Sequence, residues 1–257
     1  MEGTGKPLTV AVLVKQVPDM NTVKVDRPSR TPVLSGQRVV SSYDEYAIEE
    51  ALRLKERNGG DVVAVTVGPA GAKDVLTRAL AMGADWAIHV EVDDPNAFDS
   101  LTVATLLADQ LRPLAADLIL AGQASDDYES GQVGAQVAEL LGLPLVSSVV
   151  AVEMTGEGLR LRRDMEDGYQ MVRAPLPCLL LTSTGLNEPR FPSLKGIMAA
   201  KKKPIVRVPG EPEPAVRATW SSPTVPARGG SGVLLQDVPA ADAAKQLVSW
   251  LQEQKVL

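Results

Sequence analysis

Strand patterns alternate with helical patterns along the first half of this 257-residue chain, and this alternation limits the possible folds most strongly. Leu8–Val14 and Asp61–Val67 are nearly continuous apolar runs rich in β-branched residues, as in strands buried on both faces. Between them we expect Asp44 to cap a helix that ends at Asn58-Gly59-Gly60. Such alternation predicts a parallel sheet with helices on both faces.

The same alternation continues to residue 141. Apolar residues recur with helical spacing in three further segments, and short buried-strand patterns separate them. The predicted helices are Gly71–Met82, Ser100–Leu111 and Ser130–Leu141, and the predicted strands are Trp86–Val92 and Leu118–Ala121.

Strand patterns follow one another directly after residue 145. Turn signals at Thr155-Gly156 and Asp167-Gly168 separate the first three, which predicts antiparallel additions to the sheet. We therefore predict an α/β fold with a largely parallel, doubly wound, Rossmann-like sheet of the adenine-nucleotide-binding type. The strands predicted in this region are Val146–Glu153, Leu159–Asp164, Gln170–Ala174 and Leu179–Thr182.

The last quarter of the chain has a different composition. Proline, glycine and charged residues dominate Pro204–Gly232, which predicts an extended arm with little core of its own. Asp242–Gln254 has the apolar spacing of an amphipathic helix, which can pack on its own domain or on a partner. We expect an α/β domain at 1–203, including a loop at 184–203, and an arm at 204–257.

Composition argues against several classes of protein. A net charge of −6 is unlike that of a broadly basic nucleic-acid binder. No apolar run approaches the roughly 18 residues of a membrane helix, and Met1–Pro7 lacks the apolar core of a signal peptide. The single cysteine, Cys178, cannot form an internal disulfide, which fits a reducing compartment. We expect a cytoplasmic protein that is not embedded in a membrane.

The chain offers few residues for catalysis. With one histidine, His89, and one cysteine it has no recognisable metal cluster or Ser-His-Asp set, and we expect His89 to be structural. Gly68–Asp74 superficially resembles a phosphate loop, but its glycine spacing is too short and Asp74 replaces the required hydroxyl. The sequence therefore predicts a binding protein without catalytic residues.

Three loops combine features that suit an adenine nucleotide. Ser41–Asp44, Val67–Pro69 and Gly122–Val133 each follow a strand or precede a helix, where ligands of open parallel sheets bind. The third loop ends at Ser130–Val133, whose backbone N–H groups at a helix start favour an anion. Each loop taken alone is also compatible with an ordinary capped turn.

The segment Leu186–Lys203 has the features of a docking site. Two prolines stiffen its entry, and Leu194, Ile197 and Met198 then recur on one side of a short helical turn. Three lysines follow, and a local basic rim on an acidic protein favours approach to an acidic partner. The alternative is a helix that packs on its own domain.

Several motifs, in one order, resemble those of the β subunit of electron transfer flavoprotein. A set of separate motifs in sequence order is far more specific than a single short pattern. The matching segments are Tyr43–Ala51, Arg78–Asp85, Gly122–Ala124 with Gly131–Gln132, Arg163–Gly168 followed by Pro175–Pro177, and Asn187–Arg190 with Ile197–Met198 and the lysine run.

The resemblance implies an electron carrier that works as a heterodimer. An α subunit would hold most of the FAD, the β subunit would wall one side of the flavin near Tyr43, and the carboxyl-terminal arm would embrace the α subunit. Electrons would come from flavin dehydrogenases, such as acyl-CoA dehydrogenases that dock on Leu194, and would pass to a quinone oxidoreductase or another acceptor.

The resemblance also implies an AMP at the three loops, or a second FAD there in electron-bifurcating relatives. Together with Gly68 from the loop analysis, the expected cofactor-binding residues are Leu13, Lys15, Ser41, Ser42, Tyr43, Asp44, Val67, Gln123, Ala124, Ser125, Asp126, Ser130, Gly131, Gln132 and Val133. The expected partner-binding residues are Asn187, Glu188, Pro189, Arg190, Phe191, Leu194, Ile197 and Met198.

Two departures from the family pattern keep the choice between AMP and FAD open. Ser41-Ser42 stands where the family commonly has Asn-Pro, and the loop Asp126–Glu129 differs in length and composition. Acidic side chains near Asp126 would repel a phosphate unless they turn outwards. The rival interpretations are a stand-alone adenine-nucleotide-binding protein, such as a stress-response sensor, and an enzyme that activates its substrate with ATP.

Overall fold

The computed structural model describes residues 7–34, 36–211, 217–226 and 233–257. The chain divides into two compact units, Met1–Pro223 and Thr224–Leu257. None of the helices in these described ranges is long and apolar enough to cross a lipid bilayer.

The helices and strands follow the predicted alternation. The strands are β1 (Leu8–Leu13), β2 (Gln16–Pro18), β3 (Lys24–Asp26), β4 (Thr31–Val33), β5 (Arg38–Val40), β6 (Gly60–Gly68), β7 (Trp86–Glu91), β8 (Leu118–Gly122), β9 (Leu145–Thr155), β10 (Gly158–Met165), β11 (Gly168–Ala174), β12 (Cys178–Thr182) and β13 (Ile205–Pro209). The α-helices are α1 (Ser42–Asn58), α2 (Lys73–Met82), α3 (Ser100–Leu114), α4 (Val133–Leu141), α5 (Leu194–Ala200) and α6 (Ala240–Glu253).

A nine-stranded sheet in the order β11-β10-β9-β12-β8-β1-β6-β7-β13 forms the centre of the first unit. In the spatial order of the sheet, all neighbouring strands from β9 through β12, β8, β1, β6 and β7 to β13 are parallel. The strand β10 pairs antiparallel with both β9 and β11. The chain adds β6 and β7 on one side of β1, and then β8 and β12 on the other. This is the predicted doubly wound sheet with antiparallel additions, and the fold class is confirmed.

Alternate side chains of β1 enter two different cores. Val10 and Val12 pack in a cluster with residues of α1 and α2, such as Ile48. Ala11 and Leu13 belong to a second cluster with residues of α3 and α4, such as Val137. Successive strand residues point to opposite faces of a sheet, so a strand covered on both faces must be apolar throughout.

Asp44 does not cap α1, contrary to the sequence prediction. The helix begins at Ser42, and Asp44 lies in its first turn with only 5% of its surface exposed. Its carboxylate instead accepts hydrogen bonds from the backbone N–H groups of Lys15 (2.7 Å) and Gly122 (3.0 Å). These groups follow β1 and end β8, so the side chain ties together two strands that are distant in sequence.

The predicted helix from Ser130 is shorter at its start, because α4 begins at Val133. Glu129 and Gly131 have positive φ angles of 49° and 62°, which a right-handed helix does not allow. Ser130–Gln132 therefore belongs to the loop that leads into the helix.

The predicted arm begins with a strand that the sequence analysis missed. Ile205–Pro209 forms β13 and pairs in parallel with β7, from Ile205 opposite Ala87 to Pro209 opposite Glu91. A five-residue strand that follows Pro204 and ends in Pro209 gives a weak sequence signal, and pairing with an existing sheet edge supplies its hydrogen bonds. Residues 212–216 and 227–232 of the predicted arm lie outside the described ranges. The closing helix, α6, is present as predicted.

Gly122→Ala is expected to lower the free energy of unfolding by about 1–3 kcal/mol, as overpacking does elsewhere. A Cβ at this position would lie 2.5 Å from Oδ1 of Asp44 and 2.7 Å from Cβ of Tyr43. Gly71→Ala is the matched control, because a Cβ there meets nothing within 4 Å. Urea unfolding of both variants measures the difference, and equal stabilities would contradict the close contact.

Candidate functional site

A cavity of about 390 Å³ lies at the carboxyl end of β1, where the strand order of the sheet reverses between β6 on one side and β8 on the other. Residues that follow β1, β6 and β8 line it, together with the loops that lead into α3 and α4. The carboxyl ends of strands at such a reversal are the usual ligand site of open α/β sheets.

Most of the predicted cofactor-binding residues come together around this cavity. The four exceptions, considered below, are Ser41, Ser42, Tyr43 and Asp126. Those that line it are Leu13, Lys15, Asp44, Val67, Gly68, Gln123, Ala124, Ser125, Ser130, Gly131, Gln132 and Val133.

Ser41 and Ser42 fix the loops behind the cavity. Ser41 is fully buried, and its N–H donates to the carbonyl oxygen of Lys15 (3.1 Å). The N–H and Oγ of Ser42 donate to the two carboxylate oxygens of Asp126 at 2.8 and 2.6 Å. Tyr43 is partly exposed, and its carbonyl oxygen accepts a hydrogen bond from Oγ1 of Thr182 (3.2 Å).

Two of the acidic side chains that were expected to repel a phosphate, Asp126 and Asp127, form hydrogen bonds or an ion pair within the protein. Asp126 is held by Ser42, as described above. Asp127 lies 2.7 Å from the ammonium group of Lys15 and accepts a hydrogen bond from Oγ of Ser125 (2.6 Å). The ammonium group of Lys15 offsets the negative charge of Asp127, so this carboxylate opposes an anionic ligand less than a free one would, whereas Ser42 is neutral and only fixes the position of Asp126.

The buried carboxyl of Asp44 sets the separation of the strand ends at the base of the cavity. Burial raises the pKa of Asp44 to about 7, although the hydrogen bonds from Lys15 and Gly122 act in the opposite direction. Both oxygens are used, since Oδ2 accepts from Lys15 and Oδ1 accepts from Gly122.

The cavity has an apolar side and a side that suits an anion. Leu13, Val67 and Phe98 supply apolar surface. On the other side the side chain of Gln132, at the N-cap of α4, turns away from the helix, and its Oε1 accepts a hydrogen bond from Ser100 (2.7 Å). The backbone N–H groups of the first turn of α4 are thereby left for a ligand, and the helix dipole favours negative charge there. This combination fits an adenosine group with a phosphate.

Sequence reasoning missed two parts of the cavity lining. The loop Asp93–Asp99 follows β7, and Trp220 approaches from a later part of the chain; both contribute to the lining, together with Tyr128 of the predicted loop Gly122–Val133. The sequence signal for the loop Asp93–Asp99 was available, because β7 is a further parallel strand and its carboxyl end lies at the same edge of the sheet as those of β1, β6 and β8. Trp220 carried no pattern of its own, since it lies alone in a proline-rich segment.

Asn187 and Arg190, near the start of the predicted docking segment, are anchored to α1. Nδ2 of Asn187 donates to the carbonyl oxygen of Tyr46 (3.0 Å) and to Oε2 of Glu50 (3.1 Å). The guanidinium of Arg190 donates to both carboxylate oxygens of Glu49 at 2.8 and 3.1 Å, and it also pairs with Glu56.

The neighbours of this anchor are also held. The carbonyl oxygen of Glu188 accepts a hydrogen bond from Arg53 (3.2 Å), and Pro189 follows it. Glu49 is almost completely buried, so its two arginine partners stabilise a charge that would otherwise be costly to bury.

The other four predicted partner-binding residues are apolar and exposed. Phe191 is 87% exposed, Leu194 77% and Met198 64%, and Ile197 is also exposed. Ser193 caps α5 by accepting the N–H of Gly196 (3.0 Å). These four side chains thus face solvent, which is typical of a protein-interaction site, whereas Ala200 of the same helix packs in the core.

The helix α5 rests directly on the end of α2. A Cβ at Gly196 would lie 2.3 Å from the carbonyl oxygen of Ala81, so only glycine permits this approach. Nζ of Lys203 donates to the carbonyl oxygens of Leu80 (3.0 Å) and Ala84 (2.5 Å). Of the predicted basic rim, Lys201 and Lys202 are therefore exposed, whereas Lys203 binds the carboxyl-terminal end of α2.

Asp44→Asn is expected to change how stability depends on pH. The native pKa of about 7 lies above the value of about 3.9 for an unfolded aspartate, so the native state binds more protons between these values. Stability contributed by the protonated group is present below pH 4, falls as the pH rises towards 7, and is constant above. From pH 5 to pH 7 the parent should lose up to about 1 kcal/mol per pH unit relative to the variant.

Urea unfolding of the two proteins at pH 5, 6, 7 and 8 measures this difference. Parallel pH profiles for the parent and the Asn variant would contradict the assignment. The variant should also be less stable than the parent at pH 5, because an amide NH₂ faces one of the two backbone N–H groups and leaves it unpaired.

Comparison with known proteins identifies the family. Residues 33–213 match the electron transfer flavoprotein domain family. Electron transfer flavoprotein subunit beta of Bacillus subtilis is 36% identical, over 97% of this chain and 100% of the relative. The corresponding subunit of Clostridium acetobutylicum is 34% identical, over 96% and 99%. Caffeyl-CoA reductase-Etf complex subunit CarD of Acetobacterium woodii is 35% identical, over 97% and 100%.

These matches confirm the resemblance that the motifs indicated. The chain belongs to the electron transfer flavoprotein β-subunit family, whose members carry electrons in association with a flavin.

Proposed function

We propose that this chain pairs with an α subunit that holds most of an FAD. The heterodimer accepts electrons from flavin dehydrogenases, such as acyl-CoA dehydrogenases, and passes them to a quinone oxidoreductase or another acceptor. The exposed apolar group on the docking segment is the observation that supports this exchange, together with membership of the family. The β subunit contributes binding surfaces and no catalytic residues of its own.

The flavin supplies the redox chemistry when it is bound, and the role of this chain is to enclose and orient it. Tyr43 is the proposed neighbour of the ring system. It is partly exposed beside the carboxyl end of β8, outside the cavity that the nucleotide would occupy.

The cavity at the strand ends is the proposed site of an AMP. Its support is the arrangement of Lys15, the first turn of α4 and the apolar surface around Val67. A second FAD in its place, as in a bifurcating protein, is the alternative. The relative from Acetobacterium woodii is named as a subunit of a caffeyl-CoA reductase-Etf complex, and this name is the observation that favours considering the alternative.

The carboxyl-terminal arm is proposed to pack on the α subunit, with the functional division at residues 203 and 204. The exposed apolar residues of α6 support this role. Leu247, Val248 and Trp250 are each about half exposed, and among the described residues of α6 none is buried. An amphipathic helix with an uncovered apolar face needs a surface to bury it.

Identification of the bound nucleotides tests the proposal most directly. The complex is purified after co-expression with its α subunit, denatured, and analysed by mass spectrometry and absorbance. We expect one FAD and one AMP per heterodimer. Two FAD molecules would replace the AMP proposal by the bifurcating alternative. A stable monomer that never associates with an FAD-containing subunit would overturn the proposed function.

Leu194→Ala is expected to slow electron exchange with a partner dehydrogenase by about tenfold, because a few central anchor residues carry most of the binding energy of an interface, and a loss of about 1.4 kcal/mol corresponds to a factor of ten. The FAD content of the complex should not change. Met20→Ala is the matched control, since Met20 is also apolar and 50% exposed but lies outside the docking segment. Stopped-flow reduction of the flavin measures both variants, and an unchanged rate for Leu194→Ala would refute the docking role.

A further inference from the structure

A short segment near the end of the first unit contributes Trp220 to the lining of the cavity. We call residues 217–220 the strap. The backbone N–H groups of Arg217 and Ala218 donate to Oδ2 of Asp99 at 2.7 and 3.1 Å. At the other end Nε1 of Trp220 donates to the carbonyl oxygen of Phe98 (3.2 Å). The strap is thus attached to the loop between β7 and α3.

Trp220 also contacts the loop between β8 and α4. Its ring stacks on that of Tyr128 with a centroid separation of 4.5 Å and an interplanar angle of 28°. The hydroxyl of Tyr128 donates to Oδ1 of Asn96 (3.1 Å), and the ammonium of Lys15 lies 4.7 Å from the ring centroid. The cavity is lined by Tyr128, Trp220, Asn96 and Lys15. These contacts therefore connect the strap with the loops that follow β1, β7 and β8.

The two ends of the strap are held with different strength. Asp99 is buried and accepts hydrogen bonds from Thr102 and from two strap N–H groups, and hydrogen bonds to a carboxylate are stronger than those between neutral groups. Trp220 is held by a stack and one hydrogen bond to a neutral carbonyl oxygen, and it is 44% exposed. The tip can therefore open while the base stays attached.

We infer that Tyr128 and Trp220 form an aromatic clasp that closes over an adenine nucleotide in the cavity and limits the rate of its exchange. The inference rests on the proposed AMP site and adds to it a residue, Trp220, from a distant part of the chain. A nucleotide beneath the clasp leaves only after the stack separates, so the clasp slows release. The anchoring of the strap by Asp99 keeps Trp220 near its closed position after each opening.

The test compares exchange of radiolabelled AMP in the parent complex and in Trp220→Ala. We expect about tenfold faster release from the variant, with unchanged FAD content. Trp220→Phe preserves an aromatic ring and should stay near the parental rate. Tyr169→Ala is the matched control. Tyr169 lies on β11, is exposed and contacts the guanidinium of Arg162 on β10, but it does not line the cavity.

The outcomes separate the clasp from the site itself. Faster release from Trp220→Ala, with parental rates for Trp220→Phe and Tyr169→Ala, supports the clasp. Equal rates for the parent and Trp220→Ala overturn the clasp and leave the AMP site standing. A parent complex that binds no AMP overturns the AMP site and the clasp together.

Discussion

The hydrogen bonds from Lys15 and Gly122 to the buried carboxyl of Asp44 are the contacts on which the site depends most. They join the ends of β1 and β8, two adjacent parallel strands that diverge into separate loops. A single side chain from α1 thereby fixes the helix, both strands and the floor of the cavity relative to one another. The absence of a side chain at Gly122 is part of the same arrangement, because any Cβ would occupy the space of the carboxylate.

The helix α1 also connects the two candidate functional regions. Its first turn contributes Asp44 to the cavity, and its next turns contribute Glu49 and Glu50 to the docking segment. A helix is stiff over this distance, since its backbone hydrogen bonds link each turn to the next. The cavity and the segment that carries the exposed apolar residues are therefore both attached to one rigid helix of the fold.

The sequence predicted the parts of the structure that depend on local pattern. Strands such as Leu8–Leu13 were evident because both of their faces are buried, and the loop that contains Gln132 followed from a strand end, whereas Lys15 was expected only from the family resemblance. The sequence did not predict the use of Asp44, because a cap and a bridge between strands require the same residue type. It also missed β13 and the contact of Trp220 with Tyr128, which depend on pairing between segments far apart in the chain.

The bonds that fix Asn187 and Arg190 to α1 have a consequence for the speed of recognition. The backbone that carries Leu194 is already ordered in the free protein, so its conformational entropy is not lost when a partner arrives. A preorganised surface needs less buried area to reach a given affinity than one that must first become ordered. Under the proposed function, such a surface suits small contacts that form and dissociate quickly.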